Sequence, residues 1–123
     1  MANAVYTIEA DPSRKLLRLT LAGFWSASEA VAFAREQQAA VKKLGPPYGT
    51  HLTLADVRNF AVQTQEVTAV IRDLVLHATA TSKRIALVGG EGLARIQFTR
   101  ITQRQDVRRF ATMEDADFWL FTE

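Results

Sequence analysis

Two spacings of apolar residues run along the chain and divide it into strands and helices. Period-two alternation predicts strands over Val5 to Ala10 and Lys15 to Ala22, the second setting Leu17, Leu19 and Leu21 against Arg18 and Thr20. Between them Asp11-Pro12-Ser13-Arg14 suits a type I turn, because proline fixes φ at its second position, so a hairpin opens the fold. Helical spacing follows. Ala30, Phe33, Ala34, Val41 and Leu44 fall on one stripe, with Arg35, Glu36, Lys42 and Lys43 on the other side and Gln37 interrupting the apolar face. Ser26 and Glu29 are spaced for a capping box at the start, and Gly45 followed by Pro46-Pro47 ends the helix.

The run Thr50 to Asp56 reads as the central strand. Leu52 and Leu54 alternate with Thr53 and Ala55, so both faces can be covered, and Asp56 is expected where the strand runs out. Val57 to Gln63 reads as irregular. A second helix is expected from Thr64, its N-cap, with Glu66 near the positive dipole end and Val67, Val70, Ile71, Leu74, Val75 and Ala78 facing inward. Leu76, with Ala69 and Ala80, would leave a small outward apolar patch that a homodimer could use. Lys83 to Val88 has the apolar run of a buried parallel strand, and Gly89-Gly90-Glu91-Gly92 leads from it into a helix carrying Ala94, Phe98 and Ile101. Val107 to Ala111 is a last strand, and Thr112 to Asp115 start a closing helix that buries Ala116, Trp119 and Leu120.

The predicted order is β-β-α-β-α-β-α-β-α. It gives an α/β fold with a mixed, mostly parallel five-stranded sheet and helices on both faces, in one domain spanning residues 1–123. That length supports a single core, and 48% hydrophobic residues is ordinary for a globular chain. The absence of cysteine excludes a disulfide framework and thiolate chemistry and agrees with a reducing, cytoplasmic location. There is no apolar segment long enough for a membrane span. Fifteen Lys and Arg against 13 Asp and Glu leave a net charge of +2, which does not point to nucleic acid. Distribution matters more: Lys83, Arg84, Arg95, Arg100, Arg104, Arg108 and Arg109 are opposed in their part of the chain only by Glu91 and Asp106, so that region could attract an anion or an acidic partner.

Four stretches, in this order and spacing, carry a family resemblance: Leu19 to Trp25 before the first helix, Ala55 to Phe60 after the central strand, Lys83 to Val88, and Phe110 through Ala116 to Leu120. The chain resembles the STAS family with its SpoIIAA-like fold, especially stand-alone bacterial STAS/SEC14-like domains. The resemblance implies a non-enzymatic regulatory or binding module acting through a protein partner or a small ligand. The alternative is a carrier of a small apolar or anionic ligand, like SEC14-like domains, with Phe24 and Trp25 as a cavity wall or simply as core. In STAS switches a phosphorylatable Ser opens the helix after the central strand. Here that motif is absent, and Thr64 is the hydroxyl nearest its place, either as phosphosite or as plain cap.

Two further groups could bind a ligand. The glycine turn at Gly89, Gly90 and Gly92, with Arg95 one helical turn on, could bring backbone amides to an anion, although glycines equally satisfy tight turns. Asp56, Arg58 and Asn59 could join that loop in one polar crevice, or could satisfy local backbone with Arg58 paired to a carboxylate. No cofactor is implied. His51 and His77 have no metal-ligand spacing, and the Ser, Thr and His positions assemble no catalytic set.

Overall fold

The computed structural model describes residues 4–47, 49–76 (side chains through 73), 82–89 and 106–122. Strands β1 (Val5–Asp11) and β2 (Leu16–Gly23) form the opening antiparallel hairpin, in which Asp11 pairs with Leu16. Asp11 therefore belongs to the strand, and the reversal falls on residues 12–15. Its carboxylate still organises that reversal, accepting from the Ser13 backbone N–H at 3.1 Å and from the Ser13 hydroxyl at 2.6 Å.

Helix α1 (Ala27–Leu44) starts with both halves of the capping box: Ser26 Oγ accepts from the Glu29 N–H at 3.2 Å, and Glu29 Oε1 accepts from the Ser26 N–H at 2.9 Å. It ends at Gly45, whose φ of 80° glycine adopts more readily than other residues. Its buried stripe comprises Ala30, Phe33, Gln37, Ala40, Val41 and Leu44.

Strand β3 (Leu52–Phe60) does not stop at Asp56 as expected. After Thr20 pairs with Asp56, Ala22 pairs with Asn59 and Gly23 with Phe60, so β3 uses three residues where β2 uses two. This bulge lets Val57 and Phe60 both turn into the core, 1% and 6% exposed, while Arg58 and Asn59 stay in solvent. The segment read as irregular is therefore strand up to residue 60. Helix α2 (Gln65–Leu76), strands β4 (Arg84–Val88) and β5 (Val107–Phe110), and helix α3 (Met113–Leu120) complete the described elements. Thr112 caps α3, its Oγ1 accepting from the Asp115 N–H at 3.2 Å. The helix expected around Ala94, Phe98 and Ile101, and the side chain of Leu76, lie outside the described residues.

The five strands lie in the order β1-β2-β3-β4-β5, the first pair antiparallel and the others parallel. Alternation divides their apolar residues between two faces. Leu17, Leu19, Leu21, Ala55, Val57, Ile85 and Leu87 meet α1 and α2 in the larger core, whereas Leu16, Leu54, Ala86 and Val88 meet Ala116 and Leu120 of α3 in a smaller one. Helices thus cover both faces of a mixed sheet, the second by α3 among the described residues. No helix among those residues is long and apolar enough to cross a membrane.

Trp25 sits at the centre of the larger core. It is 1% exposed, with the rings of Tyr6, Phe33 and Phe60 at centroid distances of 5.5, 5.2 and 5.2 Å. Such tilted and edge-on pairs contribute about 0.5–1.5 kcal/mol each beyond the area they bury. Its indole N–H donates to the Ala22 carbonyl at 2.8 Å. Of the two roles open to Trp25, it takes the core role.

Candidate functional site

The carboxyl ends of β3 and β4 gather the residues that the sequence singles out. Asp56 is the last β3 residue paired with β4, opposite Val88, and the bulge carries Arg58 and Asn59 outward just beyond it. Arg58 folds back on Asp56 side-on: its Nε donates to Oδ1 at 2.9 Å, its Nη2 to Oδ2 at 2.7 Å, and its backbone N–H to Oδ1 at 3.1 Å. The Arg58 hydrogen bond holds the Asp56 carboxyl below its usual range, against the opposing effect of partial burial. Asp56 in turn raises the Arg58 guanidinium above its usual value. The Asp56 side chain is 18% exposed and that of Arg58 53%, so the guanidinium is the part of the pair presented to solvent.

Gly89 completes the junction. Its φ is 98°, and a Cβ built there would lie 2.7 Å from Arg58 Cα and 2.9 Å from Arg58 N, so only a residue without a side chain lets the two backbones approach this closely. Its N–H donates to the Phe110 carbonyl at 3.0 Å, tying the turn to β5. The structure therefore brings Gly89 against the β3 bulge. Gly90, Gly92 and Arg95 lie outside the described residues.

Thr64 opens α2 from the same end of β3. Its Oγ1 accepts from the Val67 N–H at 3.2 Å, and its carbonyl accepts from the Thr68 N–H at 2.9 Å and the Thr68 hydroxyl at 2.8 Å. Thr64, Gln65 and Glu66 are exposed. Gln63, in the stretch whose pattern predicts an irregular segment, is 5% exposed and holds this corner: its Oε1 accepts from the Trp25 N–H at 2.9 Å, and its Nε2 donates to the Gly23 carbonyl at 2.9 Å and the Ala61 carbonyl at 2.6 Å. Nothing in the pattern of neighbouring residues marks a glutamine for that role.

His51, at the opposite end of β3, is 2% exposed, and its Nε2 lies 2.9 Å from Ser82 Oγ, which also hydrogen-bonds the Thr53 hydroxyl. Ser82 and Thr53 are equally buried, so this Ser–His contact has no access to a substrate and ties the start of β4 to β3. Among the described residues, no three His, Asp or Glu side chains cluster as metal ligands.

No protein-family model matches the sequence, and no curated protein matches it. Solved structures do. An uncharacterized protein of the DUF3478 family with a SpoIIAA-like fold, from Shewanella loihica PV-4, superposes with a TM-score of 0.74 at 18% identity, over 98% of this chain and 97% of that one. An anti-sigma factor antagonist from Mycobacterium paratuberculosis gives a TM-score of 0.63 at 13% identity, over 98% and 96%. At such identities the likeness is one of architecture. The hairpin, the parallel strands that follow it and the helices on both faces are the SpoIIAA-like fold.

Proposed function

We propose that the chain is a STAS-type regulatory module, not an enzyme, and that it binds a protein partner through the carboxyl rim of its sheet. The observation that carries this reading is the β3 bulge: it presents Arg58 and Asn59 to solvent from a strand whose flanking residues, Val57 and Phe60, are anchored in the core. Arg58 uses one edge of its guanidinium on Asp56, and its remaining N–H groups can meet acceptors on a partner. A rigid surface with a neutralised ion pair suits recognition, whereas turnover would need a poised acid, base or nucleophile. The full-length likeness to an anti-sigma factor antagonist supports the same class of role. Thr64 is where a phosphate would act if this rim is switched, since it would add charge beside Glu66 at the start of α2.

The test compares affinity capture by the wild type, Arg58→Glu, Thr64→Ala, and Lys42→Glu on the exposed side of α1. Arg58→Glu is expected to lose a partner that the wild type and Lys42→Glu both retain. Thr64→Ala is expected to keep that partner while losing about 1 kcal/mol of stability with its cap. Identical capture by Arg58→Glu and the wild type would overturn the rim as the interface.

A further inference from the structure

We infer a second site, at the amino ends of the parallel strands: a cavity that takes a small organic polyanion, a molecule bearing two or more phosphate or carboxylate groups. The cavity has a volume of about 490 Å³, within the range of small-molecule sites. Four cations line it, Arg14 and Lys15 just before β2 and Lys83 and Arg84 at the start of β4. Among the described residues, no carboxylate lines it. Leu52, Leu120 and Phe121 supply an apolar floor for the body of a ligand.

Charge accounting favours an anion. Lys15 Nζ donates to the carbonyls of Gly45 at 3.0 Å and Pro46 at 3.2 Å and to Thr50 Oγ1 at 3.4 Å. Arg84 Nη1 donates to the carbonyl of Trp119 at 3.1 Å and to that of Thr122. These oxygens fix the cations in place but carry no full negative charge, and among the described residues no carboxylate pairs with Lys15 or Arg84. The carboxyl end of α3 offsets at most about half a charge. Of the four, only Arg14 has a carboxylate partner among the described residues, Asp117 at 3.3 Å, and that pair is 38% and 46% exposed. Lys83 is exposed and has no ion pair among those residues. A concave surface with several cations and, among the described residues, one exposed carboxylate beside it concentrates positive potential where small anions can enter.

The arrangement is also preorganised. The Leu52 N–H donates to the Lys15 carbonyl at 2.8 Å and the Lys83 N–H to the His51 carbonyl at 2.7 Å, lacing three successive strand starts together. Behind them lies the buried contact of His51, Ser82 and Thr53. The Arg14 guanidinium carbon lies 4.1 Å from the Phe121 ring centroid, and the guanidinium N–H groups not used on Asp117 can donate to phosphate or carboxylate oxygens. Lys15 has φ 51°, a left-handed conformation uncommon for any residue but glycine, and its backbone is tied on both sides, its N–H donating to the Pro12 carbonyl at 3.3 Å and its carbonyl accepting from Leu52.

The test is calorimetric titration of the full chain with pyrophosphate and, separately, with citrate, in about 50 mM salt so that screening is limited. At least one probe is expected to bind with a Kd below about 1 mM and to weaken as salt is raised. The stronger of the two tells whether phosphate or carboxylate is the recognised group. Lys83→Glu, which removes no side-chain hydrogen bond or ion pair among the described residues, is expected to weaken binding about tenfold or more, whereas Lys42→Glu and Arg58→Glu leave it within about twofold. Absence of binding by both probes at about 10 mM, or equal affinity for Lys83→Glu and the wild type, overturns the site. Because Arg58 belongs to the opposite rim, this result and the partner-capture result are independent.

Discussion

The two ends of the sheet carry charge in opposite ways. At the carboxyl rim Arg58 and Asp56 neutralise each other at 2.7 Å, and Gly89 packs directly on the arginine backbone, so β3 and the end of β4 are pinned together. At the amino rim Lys15 and Arg84 are held by carbonyl oxygens, which position a cation without cancelling it, and a cavity opens between them. The difference teaches that a hydrogen-bonded charge is not the same as a compensated one. Parallel sheets usually carry ligands at their carboxyl ends. In this chain the carboxyl end is the proposed partner surface, and the opposite end holds a cavity lined by four cations.

Breaking the pinned rim should have the largest effect. Gly89→Val would put a branched side chain at φ 98° against the Arg58 backbone, and a loss of roughly 3 kcal/mol is expected in denaturant unfolding. If that loss stays under about 1 kcal/mol, β3 and the β4 turn separate easily and the rim is not rigid. Ser82→Ala strikes the other end more gently: it removes the hydroxyl shared by His51 and Thr53 and should cost about 1–2 kcal/mol, read as a lower melting temperature. An unchanged melting temperature would mean that the strand starts are held by their backbone bonds alone.

The smallest effect sharpens the electrostatic contrast. The Asp56 carboxyl titrates lower in the folded chain than its unfolded value of about 3.9, so its ionised form adds stability in full above that value and loses it as pH falls through the folded one. The stability gap between wild type and Asp56→Asn should therefore be constant near neutrality and narrow below about pH 4. A gap that widens on acidification would contradict the ion pair. Exposure of Arg58 keeps the effect modest.

Most elements are legible in the sequence because their signals are local. Ser26 with Glu29, the alternation in β2 and the cap at Thr112 each act within a few residues. β3 was harder to read because the signal for its second half depends on β2: the extra residue breaks the alternation, and Val57 and Phe60 look unrelated until the register with Ala22 and Gly23 is known. Asp56 consequently resembled a strand end. At the carboxyl rim, composition suggested that Asp56, Arg58 and Gly89 could meet, but the side-on ion pair and the closeness of Gly89 to the Arg58 backbone are three-dimensional facts. The amino-rim cavity left even less trace. In the sequence Lys83 and Arg84 begin a downstream basic cluster, whereas parallel pairing through β3 sets them across one cavity from Arg14 and Lys15, far away in the chain.

Helix α3 rests on its face of the sheet through Ala116 and Leu120, and the turn that follows it forms one wall of the amino-rim cavity. Lifting that helix would dismantle the wall, so an occupant that needs the wall must act as a splint for the last segment of the chain. Its grip would then be measurable as slowed hydrogen exchange in α3, a readout that requires no knowledge of what the occupant is for.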